Sequence, residues 1–340
     1  MIYIGISEAK WKEFEEYHRE YIEKTVPVKW QNFLENKKIK EEEKLLLKEV
    51  LKKQGLTIPD PDEEEEVKRK KLEKLVEFCI CDSISTKAQI TRDNLFQGIW
   101  DKDTDGKPVK VSKEKQKKCA NHIVAVLGYN TFSESEKVTM KNGQPWNRHS
   151  FMAELGIKVC PYCNRQYITS YYIKKEGKKV VRSTTDTDHY YPKSYFPLLS
   201  MNLYNMIPSC QICNSRMKID KVQKVDEAHL YPYKDKSDSL QFEIEFEELE
   251  QLYNFSPKNV HITLKAFGGE KKKKKGEQSK KIFKLEDVYE AHQEEIFYLK
   301  ERMKQYSREQ YEKIFSKNYT GLCEGYEEWI KLLYPFLNED

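Results

Sequence analysis

Two Cys-x-x-Cys pairs, Cys160-Pro161-Tyr162-Cys163 and Cys210-Gln211-Ile212-Cys213, bracket an Asp188-His189 dipeptide. Four thiolates offered by two tight turns can close a tetrahedron around one ion, so the spacing reads as a structural zinc site. Such an ion would staple a short segment around the acid and the imidazole. The other cysteines, Cys79, Cys81, Cys119 and Cys323, have no such spacing and read as ordinary buried or partly buried thiols. With no signal-peptide run between Met1 and Trp11, the expected compartment is the reducing cytoplasm. There eight cysteines do not form a disulfide framework, and paired thiols lean towards metal.

Composition limits the partners. The 340 residues carry 60 Lys+Arg against 56 Asp+Glu, a net charge of +4, with 34 % charged and 38 % hydrophobic residues. A chain of this length can hold two or three domains with a real core. The balance is compatible with nucleic acid but does not argue for it, so local patches would have to supply any attraction. No segment reaches the length of a membrane span, and no membrane partner is expected.

The elements that must position these residues form a mostly helical scaffold around a small β-containing module, an α+β chain. Trp11, Phe14, His18, Tyr21 and Ile22 mark one helical face. Val26-Pro27-Val28 is expected to break that helix, because proline removes a backbone donor and restrains the residue before it. Trp30, Phe33 and Leu34 begin a second helical stretch, continued by Leu45 to Leu47, Val50 and Leu51. The prolines between Gly55 and Pro61 interrupt it, and a further helix with an acidic start runs from Glu63 to Cys79. Trp11, Trp30 and Trp329 read as packing anchors, and the Gly106 and Gly143 regions as exposed loops. From Gly156 the character changes. Tyr167 to Ile173 and Val180 to Thr185 read as a hairpin turning at Glu176-Gly177, delivering the chain to Asp188-His189. Phe242, Ile244 and Phe246, and then Val260, Ile262 and Leu264, alternate as two more strands. Gly268, Gly269 and Lys271 to Lys275 read as a loop. Leu285, Val288, His292, Ile296, Leu299, Met303 and Tyr306 close the chain as one helical face. The expected division is a helical region 1–155, a zinc-bearing module 156–235, and a hairpin with helices over 236–340.

The run Asp188-His189-Tyr190-Tyr191-Pro192-Lys193-Ser194, followed by Asn205, Cys210-x-x-Cys213-Asn214 and Lys218, resembles the HNH endonuclease family, the zinc-stapled ββα-metal nucleases. The likeness covers about Gly156 to Tyr233. It implies His189 at the end of a strand as general base on a water, a role suited to a neutral imidazole with a pKa of about 6.5. It implies Asp188 and Asn214 as ligands of a catalytic Mg²⁺ or Mn²⁺, and Asn205 as the group that orients His189 or holds the loop around it. Here the chain reads His-Asn-Asn where the family's full pattern is His-Asn-His, and an amide oxygen is an acceptable ligand for a hard cation. By position, Lys193, Arg216 and Lys218 could hold the scissile phosphate, and Asp186 could act as a carboxylate behind Asp188.

What the resemblance implies is a metal-dependent endonuclease acting on DNA, with RNA as the other possible substrate. By analogy it would serve antiviral defence beside an ATPase or sensor partner. The lysines of the hairpin tip (Lys174, Lys175, Lys178, Lys179) and the run Lys271 to Lys275 could track phosphates. His229 reads as a surface residue or a packing partner rather than a ligand and is left out of the site. The rival reading is a zinc-stabilised nucleic-acid-binding or adaptor subunit without catalysis, which needs the cysteines but neither Asp188 nor His189. A scaffold subunit that only recruits another enzyme is a third. Nothing in the sequence fixes oligomeric state.

Overall fold

Helix α1 (Glu8–Glu35) opens the chain in a computed structural model that describes residues 2–89, 92–102, 105–246 and 260–295, with 298, 309 and 312. The side chain of Ser7 caps it, accepting from the N–H of Lys10. Phe14, His18, Tyr21, Ile22, Val26, Trp30 and Phe33 are buried along one stripe. The break expected at Pro27 does not occur, and the helix runs straight through it. Proline removes one intrahelical bond, but the partner carbonyl belongs to Glu23 on the exposed side, where water can reach it. Buried side chains on either side of Pro27 hold the helix across the gap.

Helices α2 (Glu41–Lys53) and α3 (Glu65–Cys79) follow, each with an acidic first turn. Leu47, Val50 and Leu51 of α2 and Leu75, Val76 and Cys79 of α3 are buried, whereas Leu45 is 65 % exposed. Trp30 and Trp11 are packing anchors as expected. The indole N–H of Trp30 donates to Asp60, and Trp11 stacks on Tyr204 at 4.3 Å between ring centres. A short ribbon of β1 (Trp100–Lys102) and β2 (Pro108–Lys110) leads to α4 (Lys113–Val126) and, after a turn at Tyr129–Phe132, to α5 (Arg148–Glu154). Gly106 and Gly143 lie in exposed turns.

The hairpin forms as β3 (Ser170–Lys175) and β4 (Lys178–Ser183), a few residues later at its start than the pattern suggests. Glu176 and Gly177 take φ of +50° and +78°, the two positive values of a type I′ turn. Strand β5 (Asp186–His189) pairs not with this ribbon but with β6 (Met206–Ser209), antiparallel, with His189 opposite Met206 and Asp186 opposite Ser209. Three-ten turns at Pro197–Met201 and Leu203–Asn205 fill the connection, and a π-helical stretch at Ile212–Lys218 follows β6. Among the described residues every strand belongs to a two-stranded sheet, the first three antiparallel and the last formed by β7 (Leu240–Phe246) and β8 (Val260–Ala266). Ile262 and Leu264 are buried as expected, but Phe242 is half-exposed, and the side chains of Ile244 and Phe246 lie outside the described residues.

The lysine run is not a loop. It lies inside α6 (Glu270–Phe283), because lysine is a good helix former and Ile282, Phe283 and Ser279 give the helix a buried side. Gly276 lets α6 approach β8 closely: a Cβ there would stand 2.6 Å from that of Ala266. Leu285–Tyr289 and Glu290–His292 are helical turns. The remaining positions of the final stripe (Ile296, Leu299, Met303, Tyr306), with Cys323 and Trp329, lie outside the described residues.

Contacts divide the chain into two units, one of Met1–Gln241 with Ala266–Leu285, the other of Phe242–Lys265 with Glu286–Asp340. The N-terminal helices and the cysteine-bearing segment fall in the first of these units. No helix of the described residues is long and apolar enough to cross a membrane. Replacing Pro27 by alanine restores a donor without touching the buried stripe. We expect it to raise stability by up to ~3 kcal/mol, the proline penalty in a helix interior, as a higher midpoint in urea.

Candidate functional site

Both cysteine turns are built alike. The N–H of Asn164 donates to the carbonyl of Cys160 at 2.8 Å, and the N–H of Asn214 donates to that of Cys210 at 3.0 Å. The repeated signal was Cys-x-x-Cys-Asn, present in both turns. Asn164 takes φ of +48°, a left-handed conformation that asparagine tolerates better than most residues. The N–H of Cys213 also points to the sulfur of Cys210 at 3.4 Å.

The four sulfurs, all buried, lie within 4.8 Å of one another, and those of Cys163 and Cys210 are 4.0 Å apart. Sulfurs about 2.3 Å from a tetrahedral ion stand about 3.8 Å apart, so the set fits an ion such as zinc and not a disulfide at about 2 Å. Contact with Cys160 and the other thiols holds Cys163 far below its usual range and Cys210 at about 7, while Cys160 and Cys213 are raised. Four thiols so close share protons unevenly. A cation is what would let all four ionise together.

Between the two turns, β5 sets its side chains into very different surroundings. Asp188 is 2 % exposed, and both its carboxylate oxygens are taken. One accepts from the hydroxyl of Tyr162 at 2.7 Å, the other from the ammonium of Lys218 at 2.8 Å. Lys218 is fully buried and also donates to the carbonyl of His189 at 2.5 Å. Burial lowers its pKa, and Asp188 opposes that effect. Lys218 is therefore not available to a phosphate. Its place is set by the π-helical stretch, a geometry concentrated at functional sites. Ile219 ends that stretch at φ of +50°, a costly value for a β-branched residue.

His189 ends β5 with its imidazole 5 % exposed. Nε2 lies 2.9 Å from the carbonyl of Ser200. A carbonyl can only accept, so Nε2 carries the proton and Nδ1 keeps the lone pair. Desolvation, and then the charge of Lys193, push the imidazole pKa down to about 3. His18 of α1 makes the matching contact one residue on: its Nε2 donates to the carbonyl of Met201 at 2.7 Å, and its Nδ1 accepts from the indole of Trp146. Two histidines from distant parts of the chain thus clamp consecutive carbonyls. The side-chain hydrogen bonds of Asn205 go to the loop: it accepts from the N–H of Tyr191 and donates to the carbonyls of Tyr191 and Leu199.

A cavity of about 520 Å³ opens where these elements meet, within the range of ligand pockets. Asp188, His189, Lys193, Asn214 and Tyr129 are among the residues that line it. The ring of Tyr129 meets that of His189 edge-on at 4.6 Å, and the Lys193 ammonium sits 5.1 Å above the Tyr129 ring. Desolvation by the cavity walls lowers the Lys193 pKa, with Asp188 opposing. Asn214 turns its amide nitrogen to Asp186 at 3.1 Å, so Asp186 sits behind Asn214 rather than behind Asp188. Arg216 is exposed and is not among the lining residues. His229 is buried among Tyr162, Tyr190 and Phe283, as a packing residue should be.

The sequence reading missed Tyr129, Tyr162 and His18. Tyr162 carried a signal, a hydroxyl between the first two cysteines. Tyr129 and His18 come from outside the cysteine bracket: nothing marked Tyr129, and the spacing of His18 marked only a helical face, not a contact to the His189 loop.

No protein-family model, curated protein or solved structure matches this chain.

Cys210→Ala removes one of four ligands, and structural zinc in small modules is worth on the order of 10 kcal/mol. We expect loss of bound metal and of β5–β6 structure together, read by metal analysis and circular dichroism. Lys218→Met leaves the Asp188 charge buried without a cation and should cost about 3–5 kcal/mol. Adding Asp188→Asn should recover most of that loss in the same urea titration.

Proposed function

We propose that this chain hydrolyses phosphodiester bonds, most readily those of DNA, in the manner of the HNH nucleases that its cysteine bracket and Asp-His run resemble. The observation that supports this best is the juxtaposition of His189 and Lys193 on one open cavity. The Nε2 proton of His189 is committed to Ser200, so Nδ1 is the nitrogen able to take a proton from water. The oxygen of that water then bonds to phosphorus, the bond from phosphorus to the leaving sugar oxygen breaks, and that oxygen takes a proton from solvent water, while the proton held by His189 is returned to solvent. Lys193 supplies positive charge for the non-bridging oxygens as negative charge grows there. A phosphate beside Lys193 also offsets one of the three causes that depress the His189 pKa (burial, Lys193 and Lys218), so substrate makes the base stronger.

The divalent ion implied by the resemblance is a poorer fit. Asp188 is already neutralised by Lys218 and hydrogen-bonded by Tyr162, and Asn214 offers one neutral amide oxygen. A hard cation such as Mg²⁺ needs at least one free carboxylate among its six oxygens, and the only carboxylate of the expected pair already has both oxygens engaged. No step is therefore assigned to such an ion. A zinc-like ion among the four sulfurs would act at a distance, by fixing the turns that carry Tyr162 and Asn214.

The same occupied Asp188 favours a second reading, a nucleic-acid-binding module without catalysis. The ATPase or sensor partner and the role in defence rest on the resemblance alone. Supercoiled plasmid with purified protein, with and without Mg²⁺ or Mn²⁺, separates the two readings. Nicking by the wild type and none by His189→Ala supports hydrolysis; equal behaviour with retained binding supports the module. The pH dependence is equally specific. An imidazole held at about 3 stays neutral across the physiological range. We therefore expect no loss of kcat/KM from its protonation as pH falls from about 7.5 to about 5.5. An ordinary imidazole of pKa about 6.5 would lose about tenfold over that interval.

A further inference from the structure

Strands β3 and β4 bear lysines opposite lysines: Lys174 faces Lys179, and Lys175 faces Lys178. Directly opposed like charges destabilise an antiparallel ribbon, so folding alone gives no reason for them. The two faces of the ribbon differ. Side chains alternate along a strand, and directly paired residues share a face. Lys175 and Lys178 therefore share a face with Tyr171 and Arg182, and there Lys175 pairs with Glu136 at 2.7 Å and Arg182 with Glu134 at 2.8 Å. That face is largely neutralised from within the chain.

The other face carries Tyr172, Lys174 and Lys179, all exposed, with Tyr172 at 65 %. Among the described residues none of these three side chains makes a hydrogen bond or ion pair. The ribbon itself is held firmly. Gln144 accepts from the N–H of Val181 and donates to the carbonyl of Lys179, and Val181, on this same face opposite Tyr172, is buried, so the open part of the face is its Tyr172, Lys174 and Lys179 side. An exposed ring lies two residues from an ammonium on the same strand, with a second ammonium directly across, on a backbone that is already fixed.

We infer that this face is a binding surface for an unpaired nucleic-acid strand, with a base on the Tyr172 ring and a neighbouring phosphate between Lys174 and Lys179. Phosphates turn the like-charge repulsion into attraction, and a base offers the flat face that an exposed tyrosine can stack on. An acidic peptide would meet the lysines but leave the ring without a role. A duplex would keep its bases stacked inside. The inference extends the hydrolase reading by naming the form of its substrate, since the ribbon feeds directly into β5 and His189.

The test is binding, not cleavage. A labelled oligothymidylate of roughly 20 nucleotides, longer than common single-strand site sizes, is titrated with the full chain carrying His189→Ala. Tyr172→Ala should weaken binding at least fivefold. Lys174→Glu and Lys179→Glu should each weaken it at least tenfold at about 0.1 M salt, and the two together should reduce the log–log salt slope by about 0.7, the one phosphate they share. Lys174→Glu should also raise the melting temperature, because it replaces a like-charge pair by an opposite one, so loss of fold cannot account for lost binding. Tyr171→Ala and Lys178→Glu on the other face should change affinity less than twofold. Equal losses on both faces would overturn the inference. So would indifference to Tyr172→Ala, competition by polyglutamate as effective as by oligothymidylate, or tighter binding of a duplex of the same length. A wild type that cuts nothing while this pattern holds would count against the hydrolase reading and leave the binding face standing.

Discussion

Four sulfurs within 4.8 Å of one another are the constraint on which the rest of the site depends. They join turns fifty residues apart in sequence, and β5 has only four residues and one short partner strand. A two-stranded sheet of that size is marginal in water. With the turns fixed, Tyr162 reaches Asp188 from one knuckle, while the other leads directly into the π-helical stretch that sends Lys218 to the same carboxylate. The buried ion pair thus follows from the sulfur cluster. It is tolerable because each oxygen of Asp188 has a donor and Lys218 has two acceptors.

The second support comes from outside the bracket. Aromatic packing around α1 seats His18, Trp146 and Phe132 together, and His18 fixes the carbonyl of Met201 next to the one that fixes His189. The tautomer of His189 is therefore set by a loop that the N-terminal helices hold in place. The helical region and the cysteine-bearing segment fall in one unit, and it is burial there, with the charge of Lys193, that keeps His189 neutral at pH values where a free histidine would be charged, against the Ser200 contact, which favours the charged form.

Much of this was legible in the sequence, and the gaps have physical causes. The cysteine spacing foretold the cluster because ligand geometry is local to each turn. A strand ending in His189 was expected from the resemblance and is present. The ion pair of Lys218 with Asp188 was not, because a lysine thirty residues away declares nothing about burial. Pro27 misled because a local rule was overridden by tertiary packing on both sides of it. The lysine run misled in the opposite sense: its charge suggested a loop, while its helix propensity and three buried positions further on made a helix. Tyr129 left no trace, since aromatic residues are common in this chain and only the fold brings one to His189.

X-ray absorption at the zinc edge of the purified, unmodified chain tests the account at its root. It should show one ion per chain with four sulfur neighbours at about 2.3 Å and no nearer light atoms. An absorption edge with no zinc, or a shell dominated by nitrogen and oxygen, would mean that those turns are held by something else and that the geometry around Asp188 and His189 has lost its cause.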